Sequence, residues 1–465
     1  MVIFNYKNKP MSFTQTIEHL FKRILPSPFT IAVLLTLLTI GLAFLFDEHK
    51  TSDSFTTILS YWEGGIWNSK LLVFAFQMIL ILVLGHVLVL SKPIDTIISK
   101  LVVFTKCTST AVLLVSFTTI LVAFLNWGLG LIFGAILARK VGEYAQKNNI
   151  AINYPIVGAS GYVGLMVWHA GVSGSAPLDA AGSGRIQELL SNSSLNSNFI
   201  IPTEIATSHT IFSYWNLIIF GVILIIIPLF LYAIAKKTTA TELNLPTYEF
   251  NTDTNDALGA EKLDHSKLLA WLFGGIILVV FCIKYGENAL KFNFTLNAIN
   301  FLMLGLALIL HGKFNSFLKA LEEAIKGTSG IIIQFPLYFG IMGIMTSTGM
   351  VSTISDFFVS IATETTLPIV TFFSAGLVNI FVPSGGGQWV IQGPIVLESA
   401  LKLGVPLPKA IMALAYGDQI TNMLQPFWAL PLLGITKLKA REILPYTLLV
   451  MFVGSAIYIL GLLIF

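Results

Sequence analysis

Residues 379–394 read NIFVPSGGGQWVIQGP, and they lie between apolar runs far longer than a soluble core uses. No helix crosses this stretch unbroken. Pro383 removes a backbone donor and clashes with the preceding turn, while each of Gly385, Gly386 and Gly387 costs about 1 kcal/mol relative to Ala in a helix interior. Freed N–H and C=O groups in hydrocarbon cost several kcal/mol apiece, so broken backbone at membrane depth persists only where protein, water or a solute satisfies it. The break is therefore a candidate solute site. Asn379, Ser384, Gln388 and Gln392 offer neutral hydrogen-bonding groups beside it, and a helix restarting near Gln388 would aim its N-terminal N–H groups into the gap, which favours an anion. A kink serving only helix packing is the alternative, and four polar side chains beside it argue against that.

The composition demands a membrane. Of 465 residues 55% are hydrophobic and 11% charged, with a mean hydropathy of +0.81, whereas soluble chains carry about 25% charged residues. An all-α polytopic membrane protein follows, with no room for a sizeable water-soluble domain. Cys107 and Cys282 show neither a disulfide framework nor metal spacing. A net charge of +3 without a basic, aromatic-interleaved patch excludes nucleic acid as an expected partner. The first apolar run follows Lys22 and Arg23 and lacks a small-residue cleavage site, so it reads as a retained signal anchor.

Taken in order, residues 1–27 carry Lys7, Lys9, Lys22 and Arg23 and are placed in the cytoplasm by the positive-inside rule. A span at 28–46 runs outward, Asp47, Glu48, Asp53 and Glu63 mark an external segment with an interfacial portion at Thr57–Trp67, and a span at 71–91 returns. His86, alone on that apolar span, reads as a packing residue. Lys92, Lys100 and Lys106 punctuate an inner amphipathic stretch. Residues 107–139, interrupted at Asn126-Trp127-Gly128-Leu129-Gly130 and basic on both flanks, read as a re-entrant hairpin whose return arm is too short to span. Residues 155–181 hold five glycines together with Ser160, Trp168 and His169 and read as a discontinuous helix, and 210–235 is a plain span.

The hydrophilic linker 238–265 divides the chain between a first membrane repeat, 28–237, and a unit at 266–465 made of a linking span and a second repeat. After the span at 267–284 the first pattern starts again: span 294–311, amphipathic 315–328, span 329–348, interfacial 350–363, hairpin 366–402, discontinuous helix 406–432, span 444–464. Residues 92–106 carry three lysines and one acid while their counterpart 350–363 carries only Asp356, as expected if one faces in and the other out. Lys437, Lys439 and Arg441 place the last connection inside and the C-terminus outside; Lys402 and Lys409 are exceptions to the pattern. The expected fold is therefore two inverted repeats, each with a re-entrant hairpin and a discontinuous helix, meeting near the midplane.

Four broken elements should converge there. One pair is Asn126, Gly128 and Gly130 with Asn379 and the Pro383–Gly387 run; the other is Ser160, Trp168 and His169 with Asp418, Thr421, Asn422, Gln425 and Trp428. A buried Asp costs about 2.5 to 3.5 kcal/mol on insertion scales, so Asp418 is expected to carry a proton or to ligate Na⁺, with a helix cap as its structural alternative. His169 is a second proton candidate. Trp389 and Trp428 would wall a pocket around a short acyl chain.

The run VNIFVPSGGGQWVIQGP, residues 378–394, resembles the signature of the bacterial short-chain fatty acid uptake permeases, a family grouped with the ion transporter superfamily of secondary carriers. The resemblance implies uptake of acetoacetate, butyrate and similar monocarboxylates through the inner membrane, without fixing the coupling ion. It implies that Asn126 and Asn379 are ion- or substrate-site residues and that Ser384 contacts substrate, as the glycines beside it would. No cofactor is expected beyond H⁺ or Na⁺, and the partners are a small monocarboxylate, lipid and a second copy of the chain.

The reading is a secondary carrier importing short-chain monocarboxylates by symport. No Arg or Lys falls in the four breaks, which suits a singly charged substrate; a dicarboxylate or other organic anion is the neighbouring alternative. An intramembrane enzyme is disfavoured, with no His-Glu-x-x-His and no second deep carboxylate to pair with Asp418. A passive channel remains the alternative that sequence alone does not separate.

Overall fold

The computed structural model describes residues 26–46, 54–191, 199–246, 259–290, 295–326 and 328–465. The expectations for residues 1–25, for Asp47, Glu48 and Asp53, and for linker residues 247–258 lie outside the described residues. The described secondary structure is helical. In the first half come α1 (Pro28–Phe46), α2 (Ser54–Ile66), α3 (Ser69–Val89) and α4 (Lys92–Val102), then α5 (Thr108–Leu125) and α6 (Trp127–Lys147), then α7 (Tyr154–Ser160), a short 3-10 turn, α8 (Ser175–Ala180), α9 (Arg185–Leu189) and α10 (Tyr214–Ala235). After α11 (Lys267–Leu290) come α12 (Leu296–His311), α13 (Phe314–Ile325), α14 (Ser329–Ser347), α15 (Met350–Ser360), α16 (Leu367–Phe381), α17 (Gly385–Leu403), α18 (Leu407–Thr421), α19 (Pro426–Thr436) and α20 (Ala440–Ile464). Among the described residues six helices, α1, α3, α5, α10, α11 and α20, are long and apolar enough to cross a bilayer. The expected span at 294–311 is a 16-residue helix, and α14 continues into α15 across a 60° bend.

Each break has a local cause. Asn126 leaves helical geometry (φ −153°, ψ 125°) and its Oδ1 accepts the Leu129 N–H, ending α5 and capping α6. The two arms then fold back on each other: a Cβ on Gly130 would stand 2.4 Å from Ala123 Cα, and one on Gly134 2.1 Å from the Gly161 carbonyl oxygen. Only glycine allows that approach of α5, α6 and the end of α7. In the second half Ser384 (φ −150°, ψ 99°) caps α17, and Gln388 Nε2 donates to the Ala375 carbonyl of α16 at 2.8 Å. Gln425 (φ −81°, ψ 107°) separates α18 from α19, because the residue before a proline, here Pro426, is pushed out of helical geometry.

Two expectations change. The return arm of the first hairpin, α6, is 21 residues long, so brevity does not distinguish it from a span. Charge is what misled: Arg139 and Lys140 read as an end, yet the helix runs through them because Arg139 Nε pairs with Glu143 (2.7 Å) and Lys140 Nζ with Asp95 (2.6 Å). The second hairpin's helix restarts at Gly385 rather than near Gln388, because the Ser384 hydroxyl already supplies a cap, accepting the Gly387 N–H at 3.2 Å.

Candidate substrate site between the broken helices

A cavity of about 80 Å³ opens where the four interrupted elements meet. Its apolar side is Phe74 of α3, Trp127 at the first turn of α6, Leu165 and Trp168 of the interrupted α7–α8 segment, and Trp428 of α19. The indoles brace one another: Trp127 lies 5.3 Å from Trp428 at 75° and 6.0 Å from Trp168. Its polar side is Ser175, Ser384, Gly385 and Gly386. The N–H groups of Gly385 and Gly386 precede the first intrahelical bonds of α17 and so have no acceptor within their own helix. With the Ser384 hydroxyl they form a neutral, electropositive end to an otherwise apolar chamber.

Behind that end sits a buried histidine–aspartate pair. His169 stacks on Trp168 (4.6 Å, 14°), and a Cβ on Gly385 would stand 2.9 Å from His169 Cε1. The His169 Nε2 accepts the Ala176 N–H at 3.0 Å. That bond fixes the tautomer: a neutral imidazole accepting at Nε2 carries its proton on Nδ1, and Nδ1 meets the Asp418 carboxylate at Oδ2. Both groups are buried, and Asp418 Oδ1 has no hydrogen-bond partner among the described residues. Gln419, next to Asp418, locks the segment by accepting the N–H groups of His169 and Ala170 at 2.9 and 3.0 Å.

Asn379, at the end of α16, holds the same turn of α18 from the other side. Its Nδ2 lies 2.9 Å from the Asp418 carbonyl, 2.9 Å from Thr421 Oγ1 and 2.8 Å from Asn422 Oδ1, while its buried Oδ1 has no partner among the described residues. One nitrogen with two hydrogens thus stands among three oxygens. The structure therefore brings His169, Asp418, Asn379, Thr421 and Asn422 together, and places Ser384, Gly385, Gly386 and Trp428 on the cavity; Gly387, one residue deeper, spends its N–H on the cap.

Other expected residues lie elsewhere. Gln388 and Gln392 bond to each other (2.7 Å), and Gln392 Nε2 reaches Ser355 and Ser374, so both tie α17 to α15 and α16. Trp389 is buried in a separate apolar cluster, its Nε1 donating to Asp179 Oδ2 at 2.9 Å. Ser160 bonds back to the Ile156 carbonyl, Gly130 serves the hairpin approach, and Gly128 lies beside the Asn126 cap. Asn126 is a cap, and the next N–H, of Trp127, donates to Ser173 Oγ at 3.0 Å, tying the first hairpin tip to the α7–α8 segment. Phe74 and Leu165 were not anticipated: each is one apolar residue among many, and no sequence signal separates a lining ring from a lipid-facing one.

A many-pass helical chain whose interrupted helices close on a small chamber with helix-terminal donors defines a membrane transport protein. Similarity to known proteins narrows this: the short chain fatty acid transporter family matches residues 11–465, and the chain belongs to that family. It is 35% identical over 449 residues to an Escherichia coli (strain K12) protein provisionally named a short-chain fatty acid transporter, covering 95% of this chain and 97% of that one. A Haemophilus influenzae protein with the same provisional name is 36% identical over 447 residues, covering 95% and 96%. Among solved structures, the chain is similar to the YdaH transporter of Alcanivorax borkumensis (TM-score 0.43, 14% identity, 94% and 98% covered). It is also similar to MtrF of Neisseria gonorrhoeae (TM-score 0.41, 15% identity, 96% and 97% covered). No inference about this chain follows from structural likenesses of that degree. The chain is a multi-pass membrane protein of a transporter family, not of an enzyme family.

Proposed function

We propose that the chain is a secondary active carrier that imports short-chain monocarboxylates with protons across the bacterial inner membrane. The observation that carries this is the chamber itself, with aromatic walls on one side and the first N–H groups of α17 on the other. About 80 Å³ is room for a small solute rather than a long acyl chain. The carboxylate would take the Gly385 and Gly386 N–H groups and the Ser384 hydroxyl, with its chain against Phe74, Trp127, Trp168 and Trp428. Among the described residues no cation lines the chamber, which suits a single negative charge and disfavours a dicarboxylate.

The His169–Asp418 pair is the proposed proton site. An anion at the α17 terminus and an ionised Asp418 repel each other across the His169 ring, and a proton on the pair removes that repulsion. Anion and proton then favour each other's binding by the same factor, which is what symport requires. Sodium is the second reading, and it has its own observation: Asn379, Asp418, Thr421 and Asn422 supply oxygens clustered at one buried turn, with Asn379 Oδ1 unpartnered.

Two inverted repeats, 28–237 and the part of 266–465 that follows α11, are part of the proposal, with the 238–265 linker and the N-terminus inside and the C-terminus outside. Support comes from packing that survives exchange of the halves: α3 packs on α12 and α13, and α14 packs on α1 and α2. Labelled butyrate uptake into proteoliposomes, with proton and sodium gradients imposed separately, tests the function. Accumulation driven by a pH gradient alone is expected; accumulation only with sodium would move the coupling site to the oxygen cluster, and equilibration without accumulation would make the chain a channel.

A further inference from the structure

His169 is only as well placed as the backbone that carries it, and that backbone is irregular. Residues 161–174, between α7 and α8, contain one 3-10 turn and no α-helix, so many of their N–H and C=O groups need partners from other elements. Three helices supply them. Gln419 of α18 takes the N–H groups of His169 and Ala170 on its Oε1. Its Nε2 donates to the Tyr458 hydroxyl of α20 at 2.8 Å, and that hydroxyl donates to the Met166 carbonyl at 2.6 Å. A second arm starts at Asn216 of α10, whose Nδ2 donates to the Ala170 carbonyl at 3.1 Å and whose Oδ1 accepts the Tyr416 hydroxyl at 2.7 Å. The two tyrosine rings stack at 4.4 Å, and all four side chains are buried.

The direction of the first arm is dictated from its end. A carbonyl only accepts, so Met166 obliges the Tyr458 hydroxyl to donate to it; the hydroxyl oxygen is then the acceptor for Gln419 Nε2, and Gln419 Oε1 is left facing the His169 and Ala170 N–H groups. A reversed amide would set donors against donors. Gln419 is also the chain neighbour of Asp418. One amide, oriented by Tyr458, therefore holds the residue that carries the carboxylate to the residue that carries the imidazole. Satisfying a broken segment requires partners for its backbone, but it does not require that they join these two residues. Among the described residues no polar side-chain atom of the clamp is orphaned, whereas Asp418 Oδ1 is.

We propose that Tyr458 is a positioning residue for the His169–Asp418 pair, acting through Gln419. This rests on the proton-coupled reading above. The clamp keeps the His169 Nδ1–H on the Asp418 carboxylate, and a hydrogen bond to an ionised acceptor is stronger than one to a neutral acceptor. Without the Tyr458 hydroxyl the Gln419 amide turns freely, the bond loosens, and the pH at which the pair takes up its proton moves. Other titratable groups nearby are already engaged: Tyr162 donates to the Asn422 and Gln425 carbonyls, Tyr416 to Asn216, and Asp179 of α8 is bonded to Arg185 and Trp389. From α10, α16 and α17 the pair's surroundings receive the neutral Asn216, Asn379 and Gly385.

The test measures half-saturation for butyrate exchange in proteoliposomes across a pH series, with thermal melting of the same preparations. Tyr458→Phe keeps the ring and its stack on Tyr416 and removes only the hydroxyl. It is expected to match wild-type half-saturation at low pH and to hold it to a pH about one unit higher than wild type does. Tyr416→Phe is the matched control, since it removes a buried hydroxyl from the same stack, but one that serves Asn216 rather than Gln419. It is expected to lower the melting temperature and leave the pH profile in place. An unmoved profile in Tyr458→Phe, or an equal move in both variants, overturns the positioning role while leaving the carrier reading intact. Wild-type half-saturation that does not vary with pH overturns proton coupling and the role of Tyr458 with it.

Discussion

Replacing Asp418 by Asn should separate proton drive from anion exchange. The His169 ring touches Gly385 on one side and bonds Asp418 on the other, so an anion on the α17 terminus stands on the order of 8 Å from the Asp418 charge. At an effective dielectric of about 20 this repulsion is ~2 kcal/mol, or about 30-fold in anion affinity. In Asp418→Asn the site is permanently neutral, and the amide oxygen still accepts from His169 Nδ1, so the turn is kept. The variant should therefore bind butyrate as tightly as protonated wild type at every pH, where wild type weakens by about 30-fold as the proton leaves. Exchange of labelled for unlabelled butyrate should persist. Accumulation should not: one unit of inward pH gradient sustains about tenfold accumulation in a one-to-one symporter, and the variant should stop at equilibration. The assay is uptake and exchange in the same proteoliposomes over a pH series. Wild-type accumulation in the variant, or a wild-type pH dependence of its affinity, would refute the proton role; intact accumulation with a raised sodium requirement would make Asp418 a sodium ligand.

Three further outcomes are expected. Gly386→Ala should be tolerated, since its Cβ meets Ser175 at an ordinary 3.7 Å, whereas Gly386→Leu should fill the chamber and abolish butyrate binding while leaving a normally inserted, thermally stable protein. Trp389→Phe should cost about 1 kcal/mol by removing the indole's hydrogen bond to Asp179, whose carboxylate keeps Arg185, lowering the melting temperature slightly without moving half-saturation, because the ring lies off the chamber. With the exposed Cys107 and Cys282 removed, cysteines introduced at the exposed positions 147–149 should label only from the cytoplasm and those near Thr353 only from outside; labelling of both from one face rejects the inverted repeats.

The breaks were legible because their causes are local. Asn126, Pro383 and Gln425-Pro426 each interrupt a helix by local chemistry, whereas the three glycines after Pro383 form the first turn of α17. What sequence could not supply was facing. In a membrane both the lipid side and the protein side of a helix are apolar, so Phe74 was indistinguishable from the other aromatic residues of the spans. Polarity misdirected for the same reason: Gln388 and Gln392 are polar because they tie α17 to α15 and α16, not because they face solute. The His169–Asp418 bond closes over 249 residues of chain, and nothing in either segment names the other. Arg139 and Lys140 read in sequence as a helix end, yet the helix continues through them, since their partners Glu143 and Asp95 meet them only once the helix is built.

The placement of charge also limits what the chamber can hold. A carboxylate at the α17 terminus meets only partial positive charges, each needing no counter-ion in the empty site; a full cation there would be buried unpaired between substrate loads, at several kcal/mol. The arrangement therefore suits a carrier that must return empty. On the proposed reading a second carboxylate would be pressed against Trp127, Trp168 and Trp428. Hydrophobic contact then sets chain length: each methylene that reaches the indoles gains about 0.8 kcal/mol, until the wall is met. On the proposed reading, selectivity for short acids would follow from two opposed surfaces, one recognising a single charge and the other ending the space for carbon.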